Sequence, residues 1–183
     1  MELVPLSDRT LTQLAQADRE LRRVFEGVFP ADRLPKSPSK TVRAAYIVNT
    51  DPAGEPGQHW LALWTKDNVL EVFDSYGLPL NTYRDPELTK WIKQWKYVVT
   101  SDMTLQAMDS QTCGHYALMF LKAKARGATF QEFLSQWYHG DYVGNDHIVA
   151  NRLKQDIERV LDEDESYNQK NVSRYRFCYC NEL

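Results

Sequence analysis

Attack on a carbonyl carbon by sulfur needs a thiol, an imidazole base, a carboxylate to orient that base and donors for the oxyanion. This sequence carries such a set as Cys113, His59, Asp74 and Gln106. A thiol is a useful nucleophile near neutral pH only as thiolate, which the positive end of a helix and a neighbouring imidazolium both favour. Cys113 stands in QAMDSQTCGHYALMFL, where a polar, turn-prone run meets an apolar block and a helix should begin. That position suits a nucleophile and a small buried hydrophobe equally well.

A nucleophilic cysteine requires a base, and the base requires an orienting carboxylate. His59 opens the run HWLALWT and Asp74 closes NVLEVFD. A hairpin closed around Lys66-Asp67 places Asp74 directly opposite His59, and Cβ atoms of opposed residues lie about 4.5–5.5 Å apart. A one-residue slip would break this pairing. Without Asp74, His59 would be an ordinary strand residue beside Trp60, and Glu71 points to the other face. His115, two residues past Cys113, points away from the thiol and is assigned a packing role. His139 and His147 share YHGDYVGNDH with Asp141 and Asp146, but the spacing is not that of a metal site, and no metal is expected. For the oxyanion hole, a nucleophile that opens a helix supplies its own N–H, and a side-chain amide upstream completes it. Gln106 and Gln111 are the candidates; Gln106 has more chain in which to loop back and is preferred.

These groups need elements to position them. After the N-cap Ser7, residues 8–29 carry Leu11, Leu14, Leu21, Val24, Phe25 and Val28 at mostly helical spacing. Pro30, Pro35 and Pro38 make a loop. Residues 42–50, 59–65 and 68–74 are strand-like, as is the short run 97–100. A helix is expected over 85–96 with Pro86 at its first position, then a buried one over 113–126 ending at Gly127. Helical patterns at 129–138 and 146–162 precede a polar acidic tail, DEDESYNQKN. The outline is α+β: a small antiparallel or mixed sheet between helices, with a buried central helix starting at the thiol. One domain is expected over 1–183, with an N-terminal helix and loop (1–40), a catalytic core (41–126) and a C-terminal helical region (127–183).

Composition removes several alternatives. The net charge of −3 creates no global positive field for nucleic acid, and RELRR and KAKAR suit solvated helix faces. Three cysteines, two of them paired as Cys178 and Cys180 near the end, are not a disulfide framework and suit a reducing compartment. No apolar run is long enough to span a bilayer and no N-terminal apolar region stands out, so an intracellular, monomeric protein is expected.

With HW, FDSYG and Q-x6-CG in hand, the chain resembles the adenovirus maturation protease (adenain) family of cysteine proteases and its Maverick/Polinton transposon-encoded relatives. The likeness runs over roughly residues 24–122, and the order His, acid, Gln, Cys falls on His59, Asp74, Gln106 and Cys113. The resemblance implies a papain-like fold of the adenain and ubiquitin-like-protease type. It also implies cleavage of viral precursor capsid or core proteins at small, glycine-containing motifs, in the virion, host nucleus or assembly site. Trp60 would wall the substrate channel, although core packing accounts for it equally. An activating peptide or DNA is a further implication, with no cofactor needed for the chemistry. Here the chain departs from the family: the region around Trp95 has no cysteine to bond such a peptide, the net charge does not attract DNA, and Asp74 replaces adenain's Glu. The alternatives are a ubiquitin-like-protein isopeptidase and an inactive scaffold bound to capsid or DNA.

Overall fold

The β-branched and aromatic runs form one five-stranded mixed sheet in a computed structural model that describes residues 4–38 and 40–176, with side chains to residue 162. Cys178 and Cys180 lie outside the described residues. The strands are β1 (Phe25–Phe29), β2 (Ala44–Asn49), β3 (Trp60–Lys66), β4 (Val69–Phe73) and β5 (Tyr97–Thr100), and their spatial order equals their chain order. β2, β3 and β4 run antiparallel, while β1 is parallel to β2 and β5 to β4.

The sheet is covered on both faces. Ala45, Ile47, Ala62, Trp64 and Phe73 pack under α1 (Asp8–Ala17), α3 (Cys113–Ala125), α4 (Phe130–Leu134) and α5 (Tyr142–Arg176). Tyr46, Val48, Leu61, Leu63, Leu70 and Val72 pack against α2 (Pro86–Ile92) and Leu34. This is the expected α+β arrangement, and α3 is the buried central helix: Cys113 to Leu118, Phe120 and Leu121 are all buried. Among the described residues, no helix is long and apolar enough to cross a membrane.

Three expectations need correction. The N-terminal helix does not run to residue 29. It stops at Asp18, whose Oδ1 accepts from the N–H groups of Glu20 and Leu21 at 3.1 and 3.0 Å and so turns the chain. Beyond it, Phe25–Phe29 joins the sheet edge, with Gly27 at φ 142° in a bulge opposite β2. The β3–β4 turn consists of Asp67 and Asn68, both at positive φ (50° and 63°), as a two-residue hairpin loop demands, and not of Lys66-Asp67. The closing pair is therefore Lys66–Val69, and the register carries Asp74 opposite Leu61 instead of His59. Because the displacement is an even number of residues, Asp74 keeps its face and meets His59 diagonally. Finally, the stretch DEDESYNQKN belongs to α5, which has no proline and no glycine after Gly144 to end it.

Phe73, next to Asp74, stacks on Phe120 of α3 with centroids 4.8 Å apart and planes 13° apart, and Phe133 meets both rings edge-on. This cluster locks the strand that ends at the carboxylate to the helix that begins at the thiol. Phe120→Ala is expected to lower the unfolding free energy by about 3–5 kcal/mol in urea denaturation.

Candidate active site

His59 sits one residue before β3 and Asp74 one residue after β4, at the same end of the sheet. Their side chains meet: His59 Nε2 donates to Asp74 Oδ1 at 2.7 Å, and both residues are buried. The turn after β4 is shaped around this carboxylate. Oδ1 also accepts from Tyr76 N–H at 2.9 Å, while Oδ2 accepts from Leu78 N–H at 3.0 Å and from the Tyr83 hydroxyl. Gly77 makes the turn possible at φ 65°, since a Cβ there would lie 2.7 Å from the backbone of Asp102.

The other ring nitrogen of His59, Nδ1, is buried without a partner at hydrogen-bond geometry. The Cys113 sulfur is close enough to the ring to act on its titration. Burial opposes charge on the imidazole, but the bond to Asp74 and the Cys113 sulfur outweigh it and raise the ring's pKa from 6.5 to about 9. Asp74 moves the other way: burial would raise its pKa, yet its bonds to His59, Tyr83 and Tyr76 hold it below the usual carboxylate range. The two shifts are one interaction seen from each partner. At neutral pH it leaves a charged imidazolium between carboxylate and sulfur.

Cys113 opens α3 and is 9% exposed. The N-cap residue Thr112 makes no side-chain cap bond to this helix; its hydroxyl bonds Asp146 Oδ1 at 2.8 Å instead. Gly114 lets the helix press close to the N-terminal segment and Trp60, because a Cβ there would be 3.3 Å from Leu6 Cβ and Trp60 Cδ1. Trp60 packs against the core and also lines the groove containing Cys113; its Nε1–H holds Leu6 O at 3.2 Å. The groove has a volume of about 670 Å³, and its charged lining residues, Asp8, Asp51 and Glu55, are all acidic.

Gln106 reaches the same end of the sheet but is fully buried. Its Oε1 accepts from Ser75 Oγ at 2.7 Å, and its Nε2 donates to Ser110 O at 2.9 Å and to Tyr76 Oη at 3.1 Å. Gln111 is exposed and lines the groove. His115 is buried in α3, where desolvation lowers its pKa to about 4 and keeps the ring neutral. His139 and His147 are exposed, and among the described residues no group of three His, Cys, Asp or Glu could hold a metal.

Two contributors escaped the sequence reading. Tyr76 lays its ring on the His59 imidazole, with centroids 4.8 Å apart and planes 25° apart. Asp146, buried on α5, accepts from Ala107 N–H, Thr112 Oγ1 and Tyr116 Oη, tying the segment between Gln106 and Cys113 to the helical layer. Its neighbour Asn145 donates to Leu105 O and Tyr138 O. The position of Tyr76 inside FDSYG was a signal for the first; nothing local marked Asp146.

No protein-family model and no curated protein matches the sequence. Twelve chains of solved structures match it. One is the crystal structure of the ASFV pS273R protease, with a TM-score of 0.48 and 14% identity over 80% of this chain and 68% of that one.

Gly77→Ala should push the turn off the backbone of Asp102 and Met103 and loosen the Leu78 N–H from Asp74. Urea denaturation is expected to show a loss of about 1–3 kcal/mol, and Cys113 should react more slowly with iodoacetamide near neutral pH.

Proposed function

We propose that this chain is a cysteine peptidase in which Cys113 is the nucleophile, His59 the base and Asp74 the residue that orients it. The observation carrying this reading is the His59–Asp74 bond, which leaves Nδ1 as the ring atom free to meet the Cys113 sulfur that acts on the imidazole. Passing the Cys113 proton to Nδ1 forms the nucleophile and charges the ring in one step.

The thiolate attacks the scissile carbonyl and the imidazolium gives its proton to the leaving amine. The neutral ring then takes a proton from the water that hydrolyses the acyl-enzyme. The oxyanion side is built from the Cys113 N–H and the hydrogen-bond chain that starts at Gln106. No step requires a metal. The groove beside Cys113, with Trp60 on its wall, is the binding site for an extended polypeptide. Its acidic lining does not favour DNA.

For the substrate, the resemblance to adenain favours precursor capsid or core proteins of a virus or virus-like element, cut at small, glycine-containing sites. A peptide library containing both such sites and Gly-Gly-terminated ubiquitin-family probes, assayed with and without DNA, tests this. Cleavage of the ubiquitin-family probes alone would move the substrate to the isopeptidase class.

Cys113→Ala should abolish cleavage while leaving the thermal midpoint nearly unchanged. His59→Ala should suppress alkylation of Cys113 by iodoacetamide near pH 7, and an unchanged rate would remove His59 from its role.

A further inference from the structure

The amide of Gln106 has no hydrogen left to offer a substrate. Its two N–H bonds are committed to Ser110 O and Tyr76 Oη, its carbonyl is held by Ser75, and it is fully buried. The Tyr76 side chain, by contrast, lines the groove with Cys113 and Ser110. Its ring is fixed by stacking on His59, its own N–H is tied to Asp74, and its carbonyl accepts from Thr104 Oγ1 at 2.9 Å. The phenol hydrogen rests on Ser110 O at 3.3 Å, long for an O–H donor and the weakest bond in this set.

Building on the peptidase reading, we propose that Tyr76 is a catalytic residue, its hydroxyl being the side-chain donor to the oxyanion, and that Gln106 is a positioning residue acting through it. When the Cys113 sulfur bonds to the carbonyl carbon, the π pair moves to oxygen. The Tyr76 O–H turns from Ser110 O to that oxyanion and stays on the tyrosine throughout. Collapse of the intermediate returns the pair to the carbon–oxygen bond and expels the leaving group. The Gln106 Nε2–H that donates to Tyr76 Oη polarises the phenol and makes it a better donor. Burial and the nearby Cys113 sulfur raise the Tyr76 pKa, which keeps the phenol protonated at neutral pH.

The test compares two reactions of the same thiol in the full chain. Acylation by the 4-nitrophenyl ester of N-acetylglycine passes through an oxyanion, and alkylation by iodoacetamide does not. Tyr76→Phe keeps the ring on His59 and should slow acylation ten- to a hundredfold while leaving alkylation within about twofold. Gln106→Ala should slow acylation in the wild-type background and add nothing in the Tyr76→Phe background, with thermal midpoints confirming that each variant is folded. Unchanged or faster acylation in Tyr76→Phe would overturn the proposal, the latter marking the phenol as a group that blocks the site. So would a further loss from Gln106→Ala in that variant, which would make Gln106 the direct donor. A wild-type thiol that neither acylates nor shows His59-dependent alkylation would instead bring down the peptidase reading, and this inference with it.

Discussion

The bond between His59 and Asp74 is the interaction around which the rest of this end of the molecule is arranged. Burial by itself would neutralise both groups, lowering the imidazole's pKa and raising the carboxylate's. Both shifts run the other way, so pairing and hydrogen bonding outweigh desolvation. A lone charge pair seldom achieves that in a protein interior. Here Asp74 accepts from two backbone N–H groups and the Tyr83 hydroxyl as well as from the ring, and Tyr76 and Tyr83 lie with planes 25° and 12° from that of His59. The carboxylate is solvated by protein in place of water, and the ring is kept in one orientation with Nδ1 away from Asp74.

That orientation has a use only if a nucleophile is fixed opposite Nδ1, and the packing supplies this from two directions. The Phe73–Phe120 stack ties the strand before Asp74 to the body of α3, while Asp146 ties the start of α3 and the segment before it to α5. Cys113 therefore cannot drift along its helix axis without breaking apolar packing at one end or a buried carboxylate's bonds at the other. The Thr112 hydroxyl bonds that carboxylate instead of capping α3.

Much of this was legible in the sequence where a single residue type had a local consequence. The apolar block after Cys113 marked a buried helix, and the runs containing His59 and Asp74 marked two adjacent strands. The choice of turn was less legible, because Lys66-Asp67 and Asp67-Asn68 both suit a two-residue loop, and only the positive φ at Asp67 and Asn68 separates them. Parity preserved the His59–Asp74 meeting despite the altered register. β1 was hidden because Val24, Phe25 and Val28 also fit a helical stripe, and the Asp18 turn that ends the helix is held in addition by a distant partner, Arg126, at 2.7 Å. Asp146 was opaque because its partners Ala107, Thr112 and Tyr116 are distant in the chain.

A ¹⁵N NMR titration of the His59 imidazole reads whether the ring between carboxylate and sulfur is charged. Both ring nitrogens should keep their protons through neutral pH, and the ring should titrate near pH 9. Replacing Cys113 with alanine should bring that transition down, because the sulfur is one of the groups holding it up. A ring that titrates at or below the ordinary histidine value of 6.5, with no response to the loss of Cys113, would contradict the account.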